Sequence, residues 1–448
     1  MRVTLWQGWL LGTITMVTLV ILLLVSWFYS TADIRRVQAY AKAAGISTTW
    51  EEAAFPAPTA AEQTASRDFA RLAGEQKSLR SIDFAAAPRQ IDPANAAMRD
   101  HFAAIPVRFW QELDVAIDAL PSTPGCLYER ISLFSKFEFI QWQRELVRLQ
   151  AESLQCCPVA ELPQHLARAV RLCHPMRNQS LLQQMVDLSC TAMLSSAVTS
   201  RRSEMIDPAL RLAVAEQLRH LQQTMWDARR DGSRGETASM FVLYADPSKI
   251  FRLTSPFSAS NTWEGIRNSL RYPLRRLVFR LNRERDLRHL VDVQIASATA
   301  TDGADLIRRL HAILKPVAST EWLEELADYE QFYNFNDASP MCGQGLVKQQ
   351  LVLLVLIADL TNAALPTDAF SATGAALQPV ERQGAVIGWY SVGPNGTDDG
   401  GKPATDFGIP LRASFGKPLF ADEPVLVPVP VDGPSGPSHM PPAPAPKP

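Results

Sequence analysis

The chain has 448 residues, 47% hydrophobic and 20% charged, which is enough apolar material for one large core or for two to three ordinary domains. Its 44 basic and 46 acidic side chains leave a formal charge of −2, so no bulk attraction to DNA or RNA exists and nucleic acid is not an expected partner. The six cysteines (Cys126, Cys156, Cys157, Cys173, Cys190 and Cys342) follow no CxxC or Cys-His ligand spacing; they read as small buried hydrophobes, with disulfides open to them only outside the cytoplasm.

The first element is LWQGWLLGTITMVTLVILLLVSWFY, Leu5 to Tyr29, which contains no charge. At about 1.5 Å per residue it covers a hydrocarbon core of about 30 Å. Trp6 and Trp9 mark one edge, Trp27 and Tyr29 the other, where amphipathic rings prefer the headgroup level. A cleaved signal peptide has a shorter apolar core and a small-x-small exit; this one runs long and ends in Trp-Phe-Tyr, with Ser30-Thr31-Ala32 the one place for cleavage. Residues 1–30 therefore read as a transmembrane signal anchor that meets membrane lipid through residues 5–29. Arg2 precedes the span while Arg35, Arg36 and Lys42 follow it, offset partly by Asp33, a weak bias towards an internal body. Against that bias, a very short amino end with one span is the usual export arrangement. The expected location is a bacterial inner membrane, crossed once, with the bulk of the chain extracytoplasmic and facing the periplasm.

Residues 31–91, rich in alanine and polar side chains, read as a stalk or linker. Gly45 breaks its first helix, and Ser47-Thr48-Thr49 before Glu51-Glu52 is a helix start signal. From 92 to 225 a helical period dominates. FEFIQWQRELVRLQAESL, ELPQHLARAVRLCHPM, SLLQQMVDLSCTAMLSSAV and DPALRLAVAEQLRHLQQTMW each carry an apolar stripe, and Asp207-Pro208 caps the last. Residues 226–340 hold a polar connection and further helices. Within them Trp263 to Leu290, broken at Pro273, carries arginines at 271, 275, 276, 280, 283, 285 and 288. That run reads as a solvated helix face, the alternative being a seat on anionic headgroups or a partner.

Residues 341–420 combine a carboxyl-terminal helix with a glycine-rich loop. In LVKQQLVLLVLIADLTNAAL the apolar core from Leu351 to Ala358, bracketed by Lys348 and Asp359, is too short to span, which predicts a buried helix. AVIGWYS alternates as a strand does, predicting a short hairpin near Ile387 to Ser391. Residues 421–448 are proline-rich and expected to be disordered with polyproline character. The fold class is thus mainly α: a transmembrane helix, a helical bundle or helical-pair array, a small loop and hairpin region, and a disordered tail.

Chemistry is sparse. The chain has no G-x-S-x-G elbow, phosphate loop, H-E-x-x-H or dinucleotide fingerprint. Glu51-Glu52 and Glu324-Glu325 are adjacent in sequence, so on a helix they point apart and form no carboxylate dyad. No catalytic residue and no organic cofactor is expected. The stretch YSVGPNGTDDGGKPATDFG is different: its glycines and prolines let a loop fold back so that Asp398 or Asp399 meets Asp406, with Ser391 adding an oxygen. Hard oxygens in a flexible loop suit a structural Ca²⁺, with Ser391, Asp398, Asp399 and Asp406 as ligands; the alternative is an acidic turn with no cofactor. The absence of thiolate and imidazole from the stretch argues against zinc.

Leu365-Pro366-Thr367-Asp368-Ala369-Phe370, followed by Tyr390-Ser391-Val392-Gly393-Pro394-Asn395-Gly396 and Gly400-Gly401 through Asp406, resembles the carboxyl end of the major pseudopilin of type II secretion. That family has a Leu-Pro-x-Asp-Pro-Trp-like turn, then Tyr-Ser-Leu-Gly-Ala-Asp-Gly, a Gly-Gly pair and an Ala-Asp-Ile close that wraps a structural calcium. By the resemblance Asp406 matches the closing aspartate and Ser391 the serine of the Tyr-Ser pair. Asp398 falls at a commonly acidic place, and Asp399 has no clear counterpart. Asn395 stands where aspartate is usual, and Ala369 replaces the second proline. The same ending is similar to that of uncharacterised membrane-anchored proteins of planctomycete-type bacteria. The amino end has no prepilin cleavage site and no glutamate in the span. What the resemblance implies is a shared carboxyl-terminal loop and an envelope location.

The expected function is that of a non-enzymatic, membrane-anchored envelope protein, a scaffold or a secretion-related component contacting envelope proteins. The alternatives are an anchored envelope hydrolase, with acids such as Asp100 and Glu138, and a single-pass sensor or regulator.

Overall fold

The computed structural model describes residues 5–49, 52, 59–79, 100, 102–119, 138–173, 181–230, 237–238, 240–242, 262–313, 330–382, 385–393 and 427–428. Helix dominates them. The charge-free amino end is one helix, α1 (Leu5–Tyr29). Its described side chains face outward, Ile14 at 56% exposure and Leu22 at 61%. A helix that is apolar all round normally lies inside a protein or a membrane, and this one lies outside the packed body.

Helix α2 (Ala32–Ala43) follows almost at once and buries Asp33, Ile34, Val37 and Ala41, a stripe at helical spacing. It ends at Gly45, whose φ of 73° suits a residue without Cβ. The Ile46 amide donates to the Ala41 carbonyl at 2.8 Å and the Gly45 amide to Lys42 at 3.0 Å, closing the terminus. The start signal read after it is present too. The Glu52 amide donates to Thr49 Oγ1 at 3.2 Å, and the Glu52 carboxylate accepts from the Thr48 amide at 2.8 Å.

Within the stretch read as a stalk or linker, residues 60–79 belong to the core. Helix α3 (Ala60–Leu79) places Phe69 and Leu72, both 0% exposed, in the main core, where it packs on α4 (Val107–Ala119) and α5 (Glu138–Cys156). Its charged and amide side chains lower the mean hydropathy, yet Ala65, Phe69, Leu72 and Ala73 form a complete core stripe. Beyond it come α6 (Leu162–Cys173), α7 (Leu181–Ser200) and α8 (Pro208–Ala228), close to their expected bounds. Asp207 caps α8 by accepting from the Ala209 amide at 3.0 Å, with Pro208 at the first turn.

Helix α9 (Thr262–Thr299) continues through Pro273, where the sequence predicts a break, and α10 (Gly303–Ile313) follows it. A proline inside a helix removes one backbone bond but does not stop the helix when its flanks hold. Helix α11 (Glu330–Thr361) is the hub, packing on α7, α8, α9 and α10. Two glycines allow the approach: a Cβ at Gly343 would sit 2.7 Å from Leu310 Cδ1, and one at Gly345 3.2 Å from Leu188 Cδ1. The stretch Cys342–Thr361 is long and apolar enough to cross a membrane by length and composition, but 56% of it is buried inside the protein, as expected for a core helix. Asn362, at φ 51°, ends it, with the Ala363 amide on the Ala358 carbonyl at 2.8 Å.

The expected hairpin is present as β1 (Gln378–Arg382) antiparallel to β2 (Ala385–Tyr390), with Gln378 opposite Tyr390 and a bulge at Val380/Glu381. A two-residue strand β3 (Val427–Pro428) pairs with β2. Val427 and Pro428, within the proline-rich tail, are therefore strand, and an edge position tolerates a residue with no N–H. The rest of the tail lies outside the described residues, as do Asp398, Asp399 and Asp406.

Candidate functional site

The most heavily built polar site joins α2 to α9. Asp33 is 6% exposed, Arg280 7% and Arg283 only 1%. Arg283 donates Nε to Asp33 Oδ2 at 2.8 Å and Nη2 to Oδ1 at 2.5 Å, and Nη2 also reaches the Ser30 carbonyl. Arg280 Nη1 donates to Asp33 Oδ2. The fork of a guanidinium matches the two carboxylate oxygens. Burial alone raises the Asp33 pKa, but the hydrogen bond and charge of Arg283 and the charge of Arg280 outweigh it and hold the carboxyl below the usual range. Outside this clamp, Arg36 pairs with Glu284 at 2.6 Å, Tyr40 Oη donates to Asp292 Oδ1 at 2.6 Å, and the Arg288 guanidinium lies 4.8 Å from the Tyr40 ring centre. The arginine run was read as a solvated face; Arg280 and Arg283 are instead buried on an acid some 250 positions away. No local signal marks Arg280 and Arg283 as inward. Asp33, the first charged residue after the charge-free run, is the available hint.

The second site is carboxyl-terminal and contains Ser391, 0% exposed. Its hydroxyl donates to Asp368 Oδ1 at 2.6 Å and accepts from the Gly393 amide at 3.1 Å. Asp368, 2% exposed, also accepts from the Phe370 amide at 2.9 Å and the Val392 amide at 2.8 Å, while its own amide donates to Ala375 at 2.8 Å. One carboxylate thus staples the Leu365–Phe370 turn to the start of the glycine-rich loop. Those are the two segments whose sequences carry the resemblance, and the structure brings them together. Sequence reading picked Ser391 as a metal ligand and passed over Asp368, its partner. Among the described residues no group of three His, Cys, Asp or Glu is placed to hold a metal. Asp368→Ala leaves the buried Phe370 amide, the partly buried Val392 amide and the Ser391 hydroxyl without their acceptor, at about 1–3 kcal/mol for each fully buried group. Ser391→Ala removes two bonds but leaves only the Gly393 amide without its acceptor, and is expected to cost less. Amide exchange is the check: Phe370 and Val392 should lose protection in Asp368→Ala while α8 keeps its own.

Two interior clusters resemble chemistry. Ser153 Oγ lies 3.1 Å from His165 Nδ1, and Nε2 lies 3.7 Å from Glu161 Oε2. Burial, then the Arg168 charge, lowers the His165 pKa, so the ring is neutral at pH 7. Ser153, however, is 3% exposed, and a nucleophile must meet a substrate. The arrangement links α5 to α6. Between α5 and α7, Gln143 Nε2 donates to the Cys173 carbonyl at 2.7 Å and to Asp187 at 2.9 Å, and Gln183 joins both. The described cysteines are all buried, as the sequence predicts, and burial pushes the Cys157 thiol up to about 11, which leaves it inert. Asp100 and Glu138 sit at the starts of different helical segments, and nothing described brings them together.

Set against known protein families, characterised proteins and solved structures, the chain matches none.

Proposed function

We propose that this is a non-enzymatic, membrane-anchored envelope protein: α1 crosses the bilayer once, and the helical body, held outside the cytoplasm, scaffolds envelope partners near secretion or pilus-like machinery. The observation that carries this reading is α1 itself, free of charge, apolar on every side and exposed along its described length. The Asp33 clamp supports it, because a body hung from a membrane helix needs a rigid joint immediately after the span, and the clamp lies there. The resemblance of the carboxyl-terminal loop to that of the major pseudopilin supports the envelope location. Pull-down from detergent extracts tests the scaffold reading: envelope proteins should return reproducibly, and repeated capture of none would remove it.

In the same reading the loop from Ser391 to Asp406 holds one structural Ca²⁺ through Ser391, Asp398, Asp399 and Asp406, and the bond from Ser391 to Asp368 fixes where the loop begins. An extracytoplasmic site works at affinities of about 10⁻⁴–10⁻³ M. Calcium at a hundred times its dissociation constant stabilises by about 2.7 kcal/mol if it binds only the folded loop. The unfolding midpoint should therefore rise with calcium, and Asp406→Ala, or Asp398→Ala with Asp399→Ala, should abolish the rise. Identical melting in calcium and in chelator would leave the loop an acidic turn.

A further inference from the structure

Cys173 ends α6 and Cys190 lies midway along α7, and both are 0% exposed. Gln143 on α5 marks where the two helices meet. Its Nε2 donates to the Cys173 carbonyl at 2.7 Å and to Asp187 Oδ1 at 2.9 Å, so the end of α6 and the Asp187 turn of α7 share one amide. Cys190 stands three residues beyond Asp187, on the same face of α7. There the Cys173 and Cys190 thiols are in hydrogen-bond contact. The other described cysteines have different surroundings: Cys157 donates its thiol to the Leu154 carbonyl at 3.7 Å, Cys156 precedes it at the end of α5, and Cys342 lies on α11.

We propose that Cys173 and Cys190, free thiols in contact in this structure, are the site of a disulfide that staples α6 to α7. The pairing rests on the reading that holds the body outside the cytoplasm, where thiols in contact are oxidised and not kept reduced. The oxidant is the disulfide of an envelope thiol–disulfide oxidoreductase. One cysteine thiolate attacks it, forming a mixed disulfide and releasing one thiolate of the oxidant. The second cysteine thiolate then attacks the first cysteine's sulfur, forming an S–S bond of about 2.05 Å and releasing the other oxidant sulfur. Two thiols have lost two electrons and two protons, and the oxidant leaves as a dithiol carrying both.

Burial sets when this happens. It pushes the Cys173 thiol well above its ordinary value, and the neighbouring Cys190 thiol and Asp187 add to the rise. Thiolate is therefore scarce in the closed core, and an oxidant cannot enter it, so the bond forms during folding, before α6 closes on α7. Once enclosed, it should resist reductant until the chain unfolds.

The test is thiol mapping of the full chain in its membranes. Free thiols are alkylated under denaturing, non-reducing conditions, and the chain is cut with trypsin, which cleaves after Arg177 and so separates the two cysteines. The expected product is the Cys173 and Cys190 peptides joined, two hydrogens lighter than their sum and parted by dithiothreitol. Heating in dithiothreitol should lower the unfolding midpoint by roughly 6–12 °C, while the native chain keeps the link in the same reagent at room temperature. Protease treatment of spheroplasts, in parallel, locates the body. Alkylated Cys173 and Cys190 in a body that protease reaches overturn the staple and leave the location standing. The same alkylation in a protected body overturns both. A link from either cysteine to a different partner also overturns the pairing.

Discussion

Asp33→Ala should open the joint between α2 and α9. The substitution leaves Arg280 and Arg283, 7% and 1% exposed, without their anion. Removing one partner of a buried ion pair costs about 3–5 kcal/mol, mostly the penalty of the charge left behind. Denaturant unfolding should show that loss, and amide exchange should place it at residues 33–46 and 280–292. Replacing all three groups with apolar ones of similar size, Asp33→Leu/Arg280→Leu/Arg283→Met, should recover much of it, since an apolar substitute for a buried pair is often neutral or better. A merely exposed ion pair would show neither the large loss nor the recovery. The pH dependence has a definite sign. The folded-state pKa of Asp33 lies below its ordinary 3.8, so its contribution is complete above that value and disappears as pH falls through the lower folded value. The clamp is therefore intact at neutral pH and fails only in stronger acid.

Leu353→Asp should abolish the cooperative fold, whereas Leu19→Asp should leave the body's melting unchanged. Leu353 is 0% exposed on α11, the helix that packs on four others. Truncating such a leucine costs about 2–5 kcal/mol, and an unpaired carboxylate in its place adds desolvation. Set against a domain stability of about 5–15 kcal/mol, little or nothing remains. Leu19 is 53% exposed on α1 and supports no part of the core. With α1 spanning the bilayer as proposed, an acid there costs about 2.5–3.5 kcal/mol of membrane insertion. The two apolar helices thus separate by what each substitution breaks: far-ultraviolet dichroism and melting for Leu353→Asp, membrane partition for Leu19→Asp. A folded Leu353→Asp body would place α11 outside the core.

The helices α5 to α8 are legible because each carries an apolar stripe, and Asp207-Pro208 marks α8 by its cap chemistry. Helix α3 was not, because alanine supplies helix and small volume together, and Phe69 and Leu72 alone look too thin for a core. The α9 interruption was expected at Pro273 because proline is a local signal, while what holds a helix through it comes from its flanks. The Asp33 clamp was missed for a more general reason. Pairs separated by 250 positions leave no trace in spacing, and an arginine that will be buried looks like its neighbours. Ser391 was found, but its role depends on Asp368, and only the fold shows that the two quoted motifs touch.

On the function proposed, α1, and not α11, holds the protein in a membrane. Alkaline carbonate extraction of membranes carrying the full chain, alongside a form lacking residues 1–29, tests it directly. The full chain should stay in the pellet, and the shortened form should appear in the supernatant with its helical signal and melting transition preserved. A full chain released by carbonate, or a mature chain beginning near Ala32, would contradict the account. So would a shortened form that remains integral, since α11 would then be the span.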